Sequence, residues 1–281
     1  MNRHALLFGS SMLALGAVVL SGCGRSSSAS RETATAEQET AEVVYRRGHQ
    51  LYLQQQFDSA IVLLRRSVAM DGSASAPLGD LGAAYYARAM QVPEGAARRD
   101  DLHSALDWYG KCEAKGNRES ETYERLCEIA VALDDTKAFV RYARKNADLF
   151  PYDRQYHNLG LAYFNAGDYQ DCIKTQKEAV GKFKESPYIG GLYRQLGRAY
   201  MKVDRDQTAE RVFTEGLAAA NTVLMELQKR DGGPRRNPDI DRLIDDKIGI
   251  LVSLRKLHQT YNAPEKLREV ERQLKELGYT R

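Results

Sequence analysis

The sequence predicts an all-α chain: a solenoid of antiparallel helix pairs with a C-terminal helical cap. Three observations carry this. The first is a repeat that keeps its spacing. Gly48 and Gly82 stand 34 residues apart, and Ala60 and Ala105 open the helix that follows each. Later units place Cys127, Gly160 and Gly197 in the first slot and Ala138, Cys172 and Ala209 in the second. A period near 34 built from two short amphipathic helices is a solenoid signature. The second observation is proline placement. Pro77 and Pro264 fall where helices open, Pro151 and Pro187 at unit junctions, Pro93 in an insertion, and Pro234 and Pro238 around a loop. None interrupts a helix interior, where a missing N–H would break the ladder. The third is the 3.6-residue spacing of Ile240, Leu243, Ile244, Ile248, Leu251 and Leu254 near the end of the chain.

The first unit begins at Ala41. Gly48, Phe57, Ala60 and Ser67 give it a small-large-small-small series, the small residues lying where helices approach closely. This pattern resembles the tetratricopeptide repeat, which implies a right-handed α-solenoid. The second unit carries Leu81, Gly82, Tyr85, Ala105, Tyr109 and Cys112, with an insertion near 88–100 around the turn-forming Pro93-Glu94-Gly95. The third is the weakest: Tyr123, Leu126, Cys127, Ala130, Ala138 and Tyr142, one residue short between its helices. The fourth (Leu159, Gly160, Tyr163, Gly167, Tyr169, Cys172, Ala179) and fifth (Tyr193, Leu196, Gly197, Tyr200, Ala209, Phe213, Gly216) are strong. Five units thus span 41–230. Residues 231–281 form a helix pair or a degenerate sixth repeat, since terminal solenoid units are atypical where one face must be capped.

Ahead of the repeats, Met1-Asn2-Arg3-His4 is basic, Ala5 to Leu20 is uncharged and apolar, and Leu20-Ser21-Gly22-Cys23 follows. The apolar run is short for a membrane-spanning helix of about 20 residues and suits a signal peptide. With its terminal cysteine it resembles a bacterial lipoprotein signal. That resemblance implies removal of residues 1–22, lipidation of Cys23 with palmitate-type acyl chains, and membrane anchoring. Gly24 in place of the Asp that often marks inner-membrane retention points to the outer membrane, with the protein facing the periplasm. Residues 24–40 carry no large apolar side chain and read as a tether.

The formal net charge of +3 gives no general pull towards nucleic acid. Cys112, Cys127 and Cys172 fall in small-residue slots, which suits packed free thiols. A Cys112–Cys127 disulfide in an oxidising compartment is the other option. Scattered histidines and the lack of paired Cys or His spacing argue against a metal. No phosphate loop or nucleophile elbow is found, so the chain reads as no enzyme, with no cofactor and no small-molecule substrate.

The repeat resemblance implies a concave groove lined by the first helix of each unit. Carried onto this chain, it selects Tyr45, His49, Tyr52 and Leu53, then Tyr86, then Glu121, Glu124 and Glu128. Arg154, His157, Leu161, Phe164 and Asn165 follow, and then Arg194, Arg198, Met201 and Lys202. The groove would be aromatic at one end, acidic in the middle and basic at the other. The carboxylate clamp of cochaperone repeats is not reproduced. The implied function is a periplasm-facing outer-membrane lipoprotein, a scaffold or assembly factor holding other envelope proteins. Similar plans occur in type IV pilus pilotins, in the outer-membrane barrel-insertion machine and in lipoproteins that gather peptidoglycan hydrolases. The alternative is an envelope enzyme or a hydrolase-regulating adaptor of peptidoglycan metabolism.

Overall fold

The computed structural model describes residues 39–230 and 237–279. The signal segment expected from the sequence, Cys23, the tether up to residue 38 and Pro234 lie outside the described residues. Among those described, the chain forms twelve α-helices and no strand. They alternate as first (A) and second (B) helices of successive pairs. These are α1 (Ala41–Leu53) with α2 (Phe57–Met70), α3 (Ala76–Gln91) with α4 (Ala96–Ala114), and α5 (Ser120–Ala132) with α6 (Thr136–Leu149). They continue as α7 (Asp153–Ala166) with α8 (Tyr169–Lys182), α9 (Ile189–Lys202) with α10 (Asp206–Arg230), and α11 (Pro238–Thr260) with α12 (Pro264–Glu276).

Local chemistry sets the boundaries. The Thr40 hydroxyl accepts from Val43 N and the Asp135 carboxylate from Ala138 N, each satisfying an orphan N–H of a helix start. Pro77, Pro238 and Pro264 occupy first-turn positions where no N–H is needed. The tight A–B turns share one device. Gln55, Asp134, Gly167, Asp204 and Asn262 take left-handed φ values. In each case the following N–H reaches back to a carbonyl five residues earlier: Gln56 to Leu51, Asp135 to Ala130, Asp168 to Tyr163, Arg205 to Tyr200, Ala263 to His258. Four of these five left-handed residues are not glycine, a conformation that costs about 1 kcal/mol or more. The α11–α12 pair therefore takes the same turn as the repeats, although it lacks their Gly and Ala signature.

The small slots are needed because a B-helix side chain lies against each. A Cβ on Gly48 would press on Leu64, on Gly82 on the Tyr109 ring, and on Gly197 on the Phe213 ring. The fourth pair departs from this apolar rule. Gly160 faces the buried amide of Gln176, which donates to Tyr156 O at 3.1 Å and to Gln195 Oε1 at 2.9 Å. A continuous core runs from Ala60 to Leu274. A second cluster forms where α10 outgrows its neighbours: Ala220, Val223 and Leu224 meet Ala179, Ile189, Leu192 and Leu243.

The insertion in the second unit forms no long loop. It lengthens both helices, so that α3 has 16 residues and α4 has 19. Arg88 staples the extension. Its guanidinium donates to both Asp101 oxygens at 2.6 and 2.8 Å and to Asp58 of α2 at 2.5 Å. All three thiols, Cys112, Cys127 and Cys172, are unpaired and buried. Burial pushes Cys112 up to about 11 and the other two to about 12, so they stay protonated and unreactive at neutral pH.

Curvature follows from which helices touch. Successive A helices meet at α1–α3, α7–α9 and α9–α11, whereas successive B helices make no comparable contact. The A helices therefore line the inner, concave side.

Candidate partner-binding groove

The groove divides into three stretches. At its N-terminal end, Tyr45, His49 and Tyr52 of α1 stack in series, with ring centroids 5.9 and 6.4 Å apart. His49 Nδ1 lies 2.7 Å from Asp80 Oδ2 on α3. Burial first, and then Asp80, push the Tyr45 phenol up to about 12. The small residues Ala76, Gly79 and Ala83 leave a hollow of about 370 Å³, walled by Tyr52, Tyr109 and Arg125 among others.

The middle stretch carries more carboxylates than net charge. Arg154 of α7 pairs with Glu124 of α5 at 3.1 Å, and the Gln155 amide donates to the same carboxylate at 3.2 Å. Arg125 pairs with Glu128 at 2.7 Å and lies over the Tyr86 ring. The Tyr86 hydroxyl donates to Glu128 at 3.3 Å. Glu121 is exposed at the start of α5. The acidic stripe of the sequence is thus largely compensated, Glu124 by the groove residue Arg154 and Glu128 by Arg125, which the groove positions did not include.

At the C-terminal end the expected basic stripe splits. Arg194 turns to the cap, its guanidinium 3.3 Å from Asp246 of α11, a carboxylate only 6% exposed. Gly190, Gly191 and Gly249 let α9 and α11 close on this pair: a Cβ on either of the first two would meet Asp246, and one on Gly249 would meet Arg194. Burial pushes the Asp246 carboxyl up to about 6 despite Arg194. His157 sits beside this interlock, accepting from the Gln195 amide at 3.0 Å. Burial pulls it down to about 4, so it is neutral at pH 7. Arg198 lies over the Phe164 ring at 4.4 Å. Together with Met201 and Lys202 of α9 and Val252, Ser253, Arg255, Lys256 and Gln259 of α11, these two residues line a trough of about 480 Å³. Arg255 and Lys256 escaped the sequence reading. Both lie on α11, outside the five units from which the groove positions were drawn.

No group of three or more His, Cys, Asp or Glu among the described residues is arranged to hold a metal. No described helix is long and apolar enough to cross a membrane.

No protein-family model matches the sequence. Among solved structures, the crystal structure of MamA superposes with a TM-score of 0.53 at 18% identity, over 71% of this chain and 99% of that one. YrrB, described as a TPR protein with an unusual peptide-binding site, superposes with a TM-score of 0.53 at 14% identity, over 69% of this chain and 93% of that one. The fold is a tetratricopeptide-repeat solenoid. Among curated proteins, the O-mannosyl-transferase tmtc2 of Xenopus laevis is 36% identical over 61 residues, and TMTC2 of Homo sapiens is 33% identical over 61 residues. Those alignments take in 22% of this chain and span only 7% of the curated relatives' length.

Proposed function

We propose that this solenoid is a protein-binding scaffold of the bacterial envelope, tethered by lipid at Cys23 and presenting its groove to the periplasm. The carrying observation is the groove itself: a concave face with compensated charges at its centre and open hollows at both ends. Such a surface can hold an extended segment of another protein. The peptide-binding site in YrrB's description shows that this fold can be used in that way. The Leu20-Ser21-Gly22-Cys23 series supports the anchor, and two or three acyl chains hold a protein durably at a bilayer. Within this class, an assembly factor for an envelope machine, such as a secretin pilotin, is the specific role we favour.

Two experiments test the reading. Photo-crosslinkers at Tyr52 and Arg198, introduced in cells, should capture one and the same envelope protein. Capture of none, or of unrelated proteins from the two sites, would count against a single groove-bound partner. Cys23→Ser should release the protein from the membrane fraction or leave it unprocessed. A variant still processed and membrane-bound would remove the anchor from the proposal.

A further inference from the structure

The trough between α9 and α11 differs from the rest of the groove in charge balance. Its walls bear Arg198 and Lys202 from α9 and Arg255 and Lys256 from α11, and no carboxylate lines it. Elsewhere along the groove cations meet acids: Arg125 with Glu128, Arg154 with Glu124, Arg194 with Asp246. Within the trough, Arg198 meets an aromatic face instead. Loss of solvent, and then Arg194, hold its guanidinium below the ordinary arginine value. The charges of Arg198, Lys202 and Lys256 are therefore met by no acid in the trough walls.

The floor supplies a second constraint. Phe164, Met201 and Val252 are partly buried apolar side chains packed on the core beneath the cations. A free inorganic anion would leave that floor uncovered. A flat membrane surface cannot follow a concave face. A polypeptide can lay backbone and methylene groups on the floor while its carboxylates reach the rim. Arg198 and Lys202 stand one helical turn apart on one wall, with Lys256 on the other, so several carboxylates can be met along one chain.

We infer that the trough between α9 and α11 receives an acidic segment of a partner protein, its carboxylates between Arg198, Lys202 and Lys256 and its aliphatic stems on Phe164, Met201 and Val252. This rests on the protein-binding reading above and names the chemistry of the partner at one end of the groove. Opposite charges across an interface mainly set association rate and selectivity, and exposed pairs weaken with salt.

The test titrates the full chain in detergent with a fluorescent hexaglutamate peptide, followed by anisotropy. Hexaglutamine, inorganic phosphate and phosphatidylglycerol vesicles are the other arms. Hexaglutamate should bind at least about tenfold more tightly than hexaglutamine, weaken with salt, and lose at least about tenfold in Lys202→Glu/Lys256→Glu, with helicity and melting unchanged. Should that variant misfold, Lys202→Gln/Lys256→Gln should still lose several-fold. Equal binding of the two peptides, or unchanged hexaglutamate binding in a folded variant, overturns the inference. So does full displacement by phosphate at equal charge, or charge-dependent binding confined to the vesicles. If crosslinking captures one partner while hexaglutamate fails, the scaffold reading stands and the acidic-segment inference falls. If hexaglutamate binds in the trough while neither site captures a protein, the scaffold reading falls.

Discussion

The two ends of the groove are hollow for different reasons. The N-terminal hollow exists because α3 turns Ala76, Gly79 and Ala83 towards the groove, so space is left by what is missing. Its Asp80 is already engaged with His49 at 2.7 Å. The C-terminal trough is lined by long side chains, with Arg198 and Lys202 on one wall, Lys256 on the other and no carboxylate among its lining residues. Immediately beside it lies the opposite solution, a charge pair closed off between helices that glycines allow to touch. One solenoid thus uses small residues for two ends: to open a cavity in α3, and to shut an interlock between α9 and α11.

The largest expected effect strikes the interlocked end. Gly197→Leu drives a branched side chain into Phe213, which is fully buried. The cost should reach about 3 kcal/mol, the upper part of the usual overpacking range. Because repeats are held mainly by their neighbours, hydrogen exchange should speed up in α9–α12 before α1–α4. Lys174→Leu, on an exposed face of α8, should melt like the parent. Equal melting of Gly197→Leu and Lys174→Leu would break the assignment of the close-packed slots.

Next comes the interlock itself. Asp246→Ala leaves Arg194 facing a cavity without its partner. Breaking a fully buried pair costs about 3–5 kcal/mol, and Arg194 is 30% exposed, so on the order of 2 kcal/mol is expected in denaturant melts. Arg194→Met together with Asp246→Leu should recover much of that loss. A single variant as stable as the parent would make the α9–α11 contact purely apolar.

A smaller effect is set by pH. Asp246 is raised to about 6, so its stabilising contribution is full below the unfolded value near 3.8 and is lost as pH rises through about 6. His157 is lowered to about 4, so its contribution is present above 6.5 and is lost as pH falls through about 4. The two oppose each other over the same window, and the parent's melting temperature should change little between pH 7 and 4 on their account. In Asp246→Asn the His157 limb should appear as a loss towards pH 4. In His157→Gln the Asp246 limb should appear as a gain below pH 6. Parallel pH profiles for both variants and the parent would contradict these burial effects.

The smallest effect belongs to the open N-terminal end. Asp80→Asn should lower the Tyr45 titration midpoint only partly from about 12, because burial is the larger cause. Ultraviolet titration against a Tyr45→Phe reference reads this, and a full return to 10 would make Asp80 the dominant influence.

Much of the fold was readable from residue types because its requirements are local. A glycine at 82 or 197 answers a single B-helix ring, prolines 77 and 264 answer a single missing donor, and both repeat at fixed spacing. The insertion near 88–100 was readable as extra length, but not as two longer helices held by Arg88 between Asp58 and Asp101, residues 30 and 13 positions away. The charges along the first helices were readable as residue types, and their pairing across units was not.

The sequence by itself determined the order of the helices, the small slots that let them pack and the apolar spacing of the last pair. These rest on side-chain size, backbone freedom and periodicity, which act within one helix or one turn. Only the tertiary structure decided that Glu124 is neutralised by Arg154, that Arg194 belongs to Asp246, and that Lys202 shares a trough with Lys256. Charge acts through space with whatever faces it, and in a solenoid the facing residue comes from the next unit, 30 to more than 50 positions along the chain.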